Sequence, residues 1–175
     1  MKKLAIVFIG FFLMAFSVNV NAQNQATTNP EVPTSAKIVE VINISLTNAG
    51  LDFGTLVPTG TDGEVEILAD GTQRNTSNVD VIGQENSFSN ATFNVTGEEG
   101  LTFKITAPDA AYTTQLTSTG NDPMTVKDFT FTVATTNNTI NAGGTPFGVG
   151  ATLEVAGNQG SGIYEGTFPV TVQYE

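Results

Sequence analysis

The sequence predicts an all-β protein, a single Ig-like antiparallel β-sandwich that follows a cleaved N-terminal signal peptide. From residue 37 onward, short runs of β-branched and aromatic residues alternate with polar residues, and clusters of Gly, Asn, Asp and Thr separate the runs. A period of two places one set of side chains in a core and the other in water, as in antiparallel sheets with one solvated face. No stretch beyond the signal region shows helical spacing with caps, so we expect almost no helix.

The alternating runs give the predicted strands in chain order. They are Ile42, Ile44 and Leu46; Val65 and Ile67; Ala91, Phe93 and Val95; Leu101, Phe103 and Ile105; Phe129, Phe131 and Val133; and Ala151, Leu153 and Val155. The alternation slips by one residue between Val39 and Ile42, which predicts a β-bulge in the first strand. Residues 68–88 offer only Val79, Val81 and Ile82 as a possible strand. Many short strands in one chain are typical of a β-sandwich or barrel, and the absence of a repeat favours the sandwich.

The last run is the longest of the series. One face carries Tyr164, Gly166, Phe168, Val170, Val172 and Tyr174, which we predict to face the core. Pro169 lies within this run, and proline cannot donate a backbone hydrogen bond to a ladder. The run is therefore predicted to be an edge strand or to contain a bulge.

Three stretches rich in Gly and Asn predict loops. Residues 97–100 separate two strands of clear phase and predict a hairpin loop. Residues 137–144 and 156–162 are loops by composition. Phe53 is predicted to lie in the core, and Gly54 to occupy a backbone position that needs unusual torsion angles or a close neighbour.

The N-terminus has the features of an export signal. Lys2 and Lys3 precede an apolar run from residue 4 to 16, and Val20 and Ala22 then place small or apolar residues at the two positions that a signal peptidase reads. This pattern predicts cleavage between Ala22 and Gln23. The apolar run is shorter than the roughly 20 residues of a membrane-spanning helix, which makes an uncleaved anchor the weaker alternative. We expect a signal peptide (1–22), a flexible N-terminal arm (23–36) and a sandwich domain (37–175), located in the periplasm, at the cell surface or outside the cell.

The charge of the chain argues against several partners. The whole sequence has a formal net charge of −11, with 6 basic and 17 acidic residues. Removal of Lys2 and Lys3 with the signal makes the mature chain more acidic still. Such a chain is repelled by nucleic-acid phosphates and by anionic membrane surfaces, so we expect no nucleic-acid partner and no membrane span after cleavage. Cys is absent, so stability must come from strand pairing and apolar packing rather than from disulfides.

The residue inventory predicts that the protein is not an enzyme and holds no cofactor or metal. His and Cys are absent, which removes the commonest general base, the thiol nucleophile and the soft metal ligands. Carboxylate pairs are formally available for glycoside hydrolysis, but Trp, a usual sugar-stacking residue, is also absent. The acidic stretches at residues 62–66 and 121–128 do not match a calcium-binding loop.

Three segments carry a family resemblance. They are residues 51–56 (LDFGTL), 91–97 (ATFNVTG), and 150–155 (GATLEV) continuing to 166–174 (GTFPVTVQY). Their order and spacing resemble a bacterial exported family known as domain of unknown function 4402. The resemblance covers roughly residues 37–175. It implies an exported Ig-like β-sandwich without an established biochemical activity.

The C-terminus is also similar to fimbrial subunits of the chaperone–usher type. Those subunits end in an alternating apolar strand with a penultimate Tyr and an upstream Gly, positions that Tyr174 and Gly162 occupy here. The resemblance implies strand addition, in which a partner's strand completes a sandwich. It marks an assembly strand whose residues are Gly162, Tyr164, Phe168, Val170, Val172 and Tyr174. Residues 23–36 lack the alternating apolar side chains of a donor strand, so a self-contained sandwich stays open as an alternative.

These observations give two hypotheses for function. The first is a non-catalytic exported surface or structural protein, a pilin-like or adhesive subunit that assembles with itself or with related surface subunits by β-strand addition. The alternative is a soluble extracytoplasmic module that binds a glycan or calcium through loops at one end of the sandwich.

Overall fold

The computed structural model describes residues 29–83, 87–109 and 111–175. Residues 37–175 form one compact unit. In the preceding unit, the described residues 29–36 are exposed and belong to no strand. The predicted cleavage site at Ala22 and Gln23 and the start of the predicted arm lie outside the described residues.

The described residues form twelve β-strands and no helix, and every pairing is antiparallel, as the sequence predicts. The strands are β1 (Asn43–Leu46), β2 (Thr55–Pro58), β3 (Gly63–Ile67), β4 (Arg74–Ser77), β5 (Val79–Ile82), β6 (Ala91–Thr96), β7 (Thr102–Ala107), β8 (Thr114–Leu116), β9 (Met124–Phe131), β10 (Asn138–Thr139), β11 (Thr145–Val155) and β12 (Thr171–Tyr174). No helix that is long and apolar enough to cross a membrane occurs in this part of the chain. The fold is therefore the predicted all-β sandwich.

A seven-stranded sheet forms the larger layer around β11. β6 pairs with residues 145–149 of β11 and β3 pairs with residues 151–155, so β6 and β3 follow each other along one side of that strand. β9 pairs with the opposite side of β11 and carries β8, while β1 and β4 extend the sheet beyond β6 and β3. The second layer is the small sheet β10-β7-β12 and the pair β2-β5.

β11 is the central strand of the large sheet, and both of its faces are buried. Residues 147–153 are all buried. Gly150 is required there because a Cβ would lie 2.6 Å from the amide nitrogen of Ala69 and against the carbonyl of Ile67, both backbone atoms of the chain leaving β3. Close backbone approach of this kind is available only to glycine.

The core lies between the two layers, and the predicted roles of Phe53 and Gly54 are confirmed. Phe53 is buried in the core cluster. Gly54 has φ +82°, and a Cβ on it would lie 2.6 Å from Nη1 of Arg74 and 2.5 Å from the carbonyl oxygen of Ser87. Arg74 donates a hydrogen bond of 3.1 Å to the carbonyl of Phe53 and lies over the ring of Phe88. Both the torsion angle and the crowding therefore demand glycine.

Residues 97–100 form a loop, but the predicted hairpin is wrong. β6 pairs with β1 and β11, whereas β7 pairs with β10 and β12, so the loop carries the chain from the large sheet to the small one. A short Gly-rich connection suits a hairpin and an arch equally well. The partners of each strand are set by tertiary packing, which a local pattern does not contain.

The predicted bulge between Val39 and Ile42 is not part of a ladder. The first strand begins at Asn43, and its four residues pair with Thr96 to Phe93 without interruption. The slip in the sequence instead marks the point at which ladder pairing starts.

The last predicted strand is divided. Glu165 forms an isolated bridge with Thr117 beside β8 in the large sheet, and β12 begins only at Thr171, in the small sheet. The prediction of one uninterrupted strand is wrong because Pro169 lies at the change of sheets and cannot donate to either ladder. The register shift between Thr171 and Val172 is the irregularity that proline predicted.

Candidate assembly surface

The first half of the predicted assembly strand packs locally against the loop that follows β8. A Cβ on Gly162 would lie 2.9 Å from Nδ2 of Asn121 and against the hydroxyl of Ser118, so the chain passes too close for a side chain. The Tyr164 hydroxyl donates a hydrogen bond of 2.7 Å to the carbonyl of Gly160. These two residues hold the end of the sandwich together and present no free strand edge.

The second half shows the predicted alternation of burial. Phe168, Val170, Val172 and Tyr174 are half-buried and pack against the core, while the residues between them are exposed. The Phe168 ring lies 4.8 Å from the ring of Phe129, centroid to centroid. The predicted phase is therefore confirmed, although these side chains are half-buried rather than enclosed.

Tyr174 joins three parts of the chain through its hydroxyl. The hydroxyl donates a hydrogen bond of 2.8 Å to the carbonyl of Glu40 and accepts one of 2.8 Å from the amide of Glu98. Gly97 leaves room for this, because a Cβ there would meet the hydroxyl. The penultimate tyrosine thus ties the C-terminal strand to the residues before β1 and to the loop after β6.

Two free strand edges meet beside Tyr174. Among the described residues, β1 pairs only with β6 and β12 pairs only with β7, and the two strands are in contact across the layers. We call the region between these edges the seam. Its apolar side chains are half-buried: Ile42, Ile44, Val170, Val172 and Tyr174.

Glu98 holds the residues before β1 along the seam. Its carboxylate accepts a hydrogen bond of 2.9 Å from Nζ of Lys37 and one of 3.4 Å from the amide of Glu40. The hydrogen bond from Lys37 lowers the pKa of Glu98 most, followed by the hydrogen bond from the Glu40 amide. The segment is therefore anchored by these polar groups and, at its end, by the half-buried side chain of Ile42.

In the acidic stretch at residues 62–66, which the sequence raised as a calcium candidate, Asp62 and Glu64 bind other parts of the protein. Nζ of Lys127 lies 2.8 Å from Glu64 and 2.7 Å from Glu154, and the two hydrogen bonds raise the pKa of Lys127. Asp62 accepts a hydrogen bond of 2.9 Å from the amide of Gly157. Within the described ranges, no three acidic side chains gather into a group that could hold a metal ion.

A cleft of about 1000 Å³ lies at one end of the sandwich, between residues 49–58 and 159–168. Its charged lining residues are Asp52 and Glu165, and its deepest lining residues include Val126 and Leu153. Each of these two core side chains is only 1% exposed, so the cleft does not open the core.

A family model described as Domain of unknown function (DUF4402) matches residues 43–174. The chain belongs to this family. The match runs from the first residue of β1 to Tyr174, so in this family member it includes both strands of the seam. No curated protein and no solved structure matches the chain.

The sequence alone did not identify Glu40, Gly97 and Glu98 as parts of this surface. Glu98 and Gly97 lie in a loop that composition identified correctly, but composition does not show which residue approaches it. Their roles come from contact with Tyr174, which is 76 residues from Glu98 in the chain. The penultimate tyrosine was the one residue of this cluster that a pattern could find.

Proposed function

We propose that this protein is an exported, non-catalytic structural module of the bacterial surface that assembles by β-strand addition at the edge of β1. The observation that carries the proposal is that β1 is an unprotected edge strand beside a second free edge. Signal-like residues 1–22 and the acidic composition support export and solubility outside the cytoplasm.

Natural edge strands usually carry a feature that prevents pairing with another chain, such as a charge, a proline, a bulge, a cover or a very short length. The other edges have one: Arg74 in β4, Asp80 in β5, Pro58 in β2, the register shift in β12, the segment at residues 165–167 over β8, and the two-residue length of β10. β1 has the sequence NISL, pairs in unbroken register and exposes 51% of Leu46. Among the edges that the structure describes, it is the one that can accept a strand.

The direction of the backbone amides offers a clean test. The Thr47 amide donates a hydrogen bond of 2.8 Å to the carbonyl of Thr92, so it faces β6. Amides alternate in direction along a strand, and the Leu46 amide therefore faces the free edge. Leu46→Pro removes that donor without removing a hydrogen bond to β6, and proline is tolerated at such edge positions.

We expect the mature wild-type protein to form oligomers, Leu46→Pro to be monomeric and folded, and Leu46→Ala to assemble like the wild type. Light scattering after size-exclusion chromatography measures the assembly, and circular dichroism checks the fold. The alanine variant controls for the lost side chain. Oligomers of Leu46→Pro as stable as those of the wild type would show that the β1 edge does not carry assembly.

The cleft between residues 49–58 and 159–168 supports a second candidate, a binding module for an extracytoplasmic glycan. Its volume of about 1000 Å³ suits a small ligand, and Tyr164 and Phe168 supply aromatic surface in its lining. Glycan-array binding that Tyr164→Ala abolishes would favour this function. A glycan array without a hit would remove this function.

A further inference from the structure

The residues just before β1 have the composition of a strand but no strand partner. Residues 37–42 (KIVEVI) contain four β-branched apolar residues, and none of the six belongs to a ladder. Ile38 is 95% exposed and Val41 is 87% exposed. We call residues 37–42 the pre-strand segment. Its side chains are the kind that extended pairing on a sheet edge would cover.

The anchoring of this segment leaves the side chains of Ile38 and Val41 in solvent. Lys37 and the amide of Glu40 bind Glu98, and the carbonyl of Glu40 accepts the hydrogen bond from Tyr174. These bonds lie on the side of the protein body. A segment that is already tethered to the protein body loses less entropy when it pairs, which favours binding.

The pre-strand segment cannot pair with the free edge of its own β1. Ile42 is followed directly by Asn43, the first residue of β1. An antiparallel pairing needs a reversal of at least two residues between its strands, and none is available here. Each chain thus carries a strand-like segment that has no strand to pair with and a strand edge that is unpaired. The two cannot pair within one chain because they are directly consecutive.

The charge distribution permits two copies to meet at this place. The whole chain has a net charge of −11, which opposes self-association. Residues 37–51, by contrast, contain one basic residue, Lys37, and one acidic residue, Glu40. Glu98, which binds Lys37, adds one negative charge to this surface. Two copies that approach through it still meet less repulsion than the net charge of the whole chain would cause.

We propose that the pre-strand segment of a second copy pairs antiparallel with β1, so that the protein forms a closed two-fold dimer. This inference rests on the proposed strand addition at β1 and names its partner. In each copy the pre-strand segment leads directly into β1. When the segment of the first copy pairs antiparallel with β1 of the second, the segment of the second copy therefore lies against β1 of the first. Both edges are then filled, and the interface has the self-complementary form of a two-fold dimer.

The test uses one variant whose β1 edge can accept a strand but whose pre-strand segment cannot pair, and one variant with the opposite defect. Ile38→Asp with Val41→Asp spoils the donor segment and keeps the β1 edge. Leu46→Pro keeps the segment and spoils the edge. Ile82→Asp with Ile163→Asp is the matched control, since it places the same charges at two other exposed apolar positions. Sedimentation velocity measures the mass and the dissociation constant of each protein and of an equimolar mixture.

We expect the wild type and the control to be dimers. The dissociation constant should be at least about tenfold larger for Ile38→Asp with Val41→Asp and for Leu46→Pro. Their mixture should form a one-to-one heterodimer, since one intact segment then meets one intact edge. Undiminished dimers of Ile38→Asp with Val41→Asp, or a mixture that stays monomeric, would overturn the inference while leaving strand addition at β1 intact. A wild-type ladder of higher oligomers would also overturn it, in favour of open-ended addition. A wild-type monomer would remove both the inference and the proposed function.

Discussion

Gly97 lies where the loop after β6, the pre-strand segment and the C-terminal strand meet. A Cβ at this position would be 3.2 Å from Cδ1 of Ile140 and 3.3 Å from Cα of Ile42, and it would meet the Tyr174 hydroxyl. Ile140 is buried and the Ile42 contact is to backbone, so neither neighbour can move freely. We expect Gly97→Ala to lower the free energy of unfolding by about 1–3 kcal/mol, the usual cost of an extra methyl group in a packed site.

A double-mutant cycle with Tyr174→Phe identifies the cause. Tyr174→Phe alone removes the two hydrogen bonds of the hydroxyl, each with a net value of about 1 kcal/mol. In that background the alanine methyl group no longer meets the hydroxyl, so we expect a coupling energy of about 1 kcal/mol between the two changes. Urea denaturation of the four proteins gives the free energies. Additive costs, or a Gly97→Ala variant as stable as the wild type, would refute the described packing.

Two further predictions test the strand phase and the electrostatics of the seam. Val170→Asp should lower the free energy of unfolding by about 1–3 kcal/mol because its side chain packs against the core, whereas Thr171→Asp should change it by less than about 0.5 kcal/mol; equal losses in urea denaturation would mean that the phase is wrong. Glu98 has a lowered pKa in the folded state, so its contribution is complete above its unfolded pKa and is lost as the pH falls through the lower folded value. The melting temperature of the wild type, measured relative to that of Glu98→Gln, should therefore fall on acidification below about pH 4.5, and a constant difference would contradict this account.

Local periodicity predicted the faces of the strands well because the alternation of side chains is a property of the extended backbone itself. Val65, Phe103 and Leu153 were placed in the core by alternation alone, and all three are buried. The same reasoning gave the phase of the last run up to Tyr174. These positions need no knowledge of which strand lies next to which.

The choice of partner strands was beyond the reach of the sequence. Residues 97–100 connect two sheets rather than one hairpin, and Ile140, in a stretch assigned to a loop by composition, is a fully enclosed core residue. The carbonyl of Ile140 accepts a hydrogen bond from the Gly100 amide, and the Ile140 amide donates one to the carbonyl of Leu101. A single apolar residue among Asn and Gly gives no periodic signal, because its burial comes entirely from contacts between distant segments.

The pattern of burial bears on the kind of strand addition that this sandwich can support. In the fimbrial resemblance, a partner's strand completes a sandwich that lacks one, which would leave core side chains open to water before assembly. Here Val126 and Leu153 are each 1% exposed in the isolated chain, so the centre of the core is closed. Half-buried apolar side chains line the seam, where the ladders of β1 and β12 end, but the centre of the core does not depend on them. Strand addition at β1 would therefore extend a stable sandwich, and the folded monomer should persist when assembly is blocked.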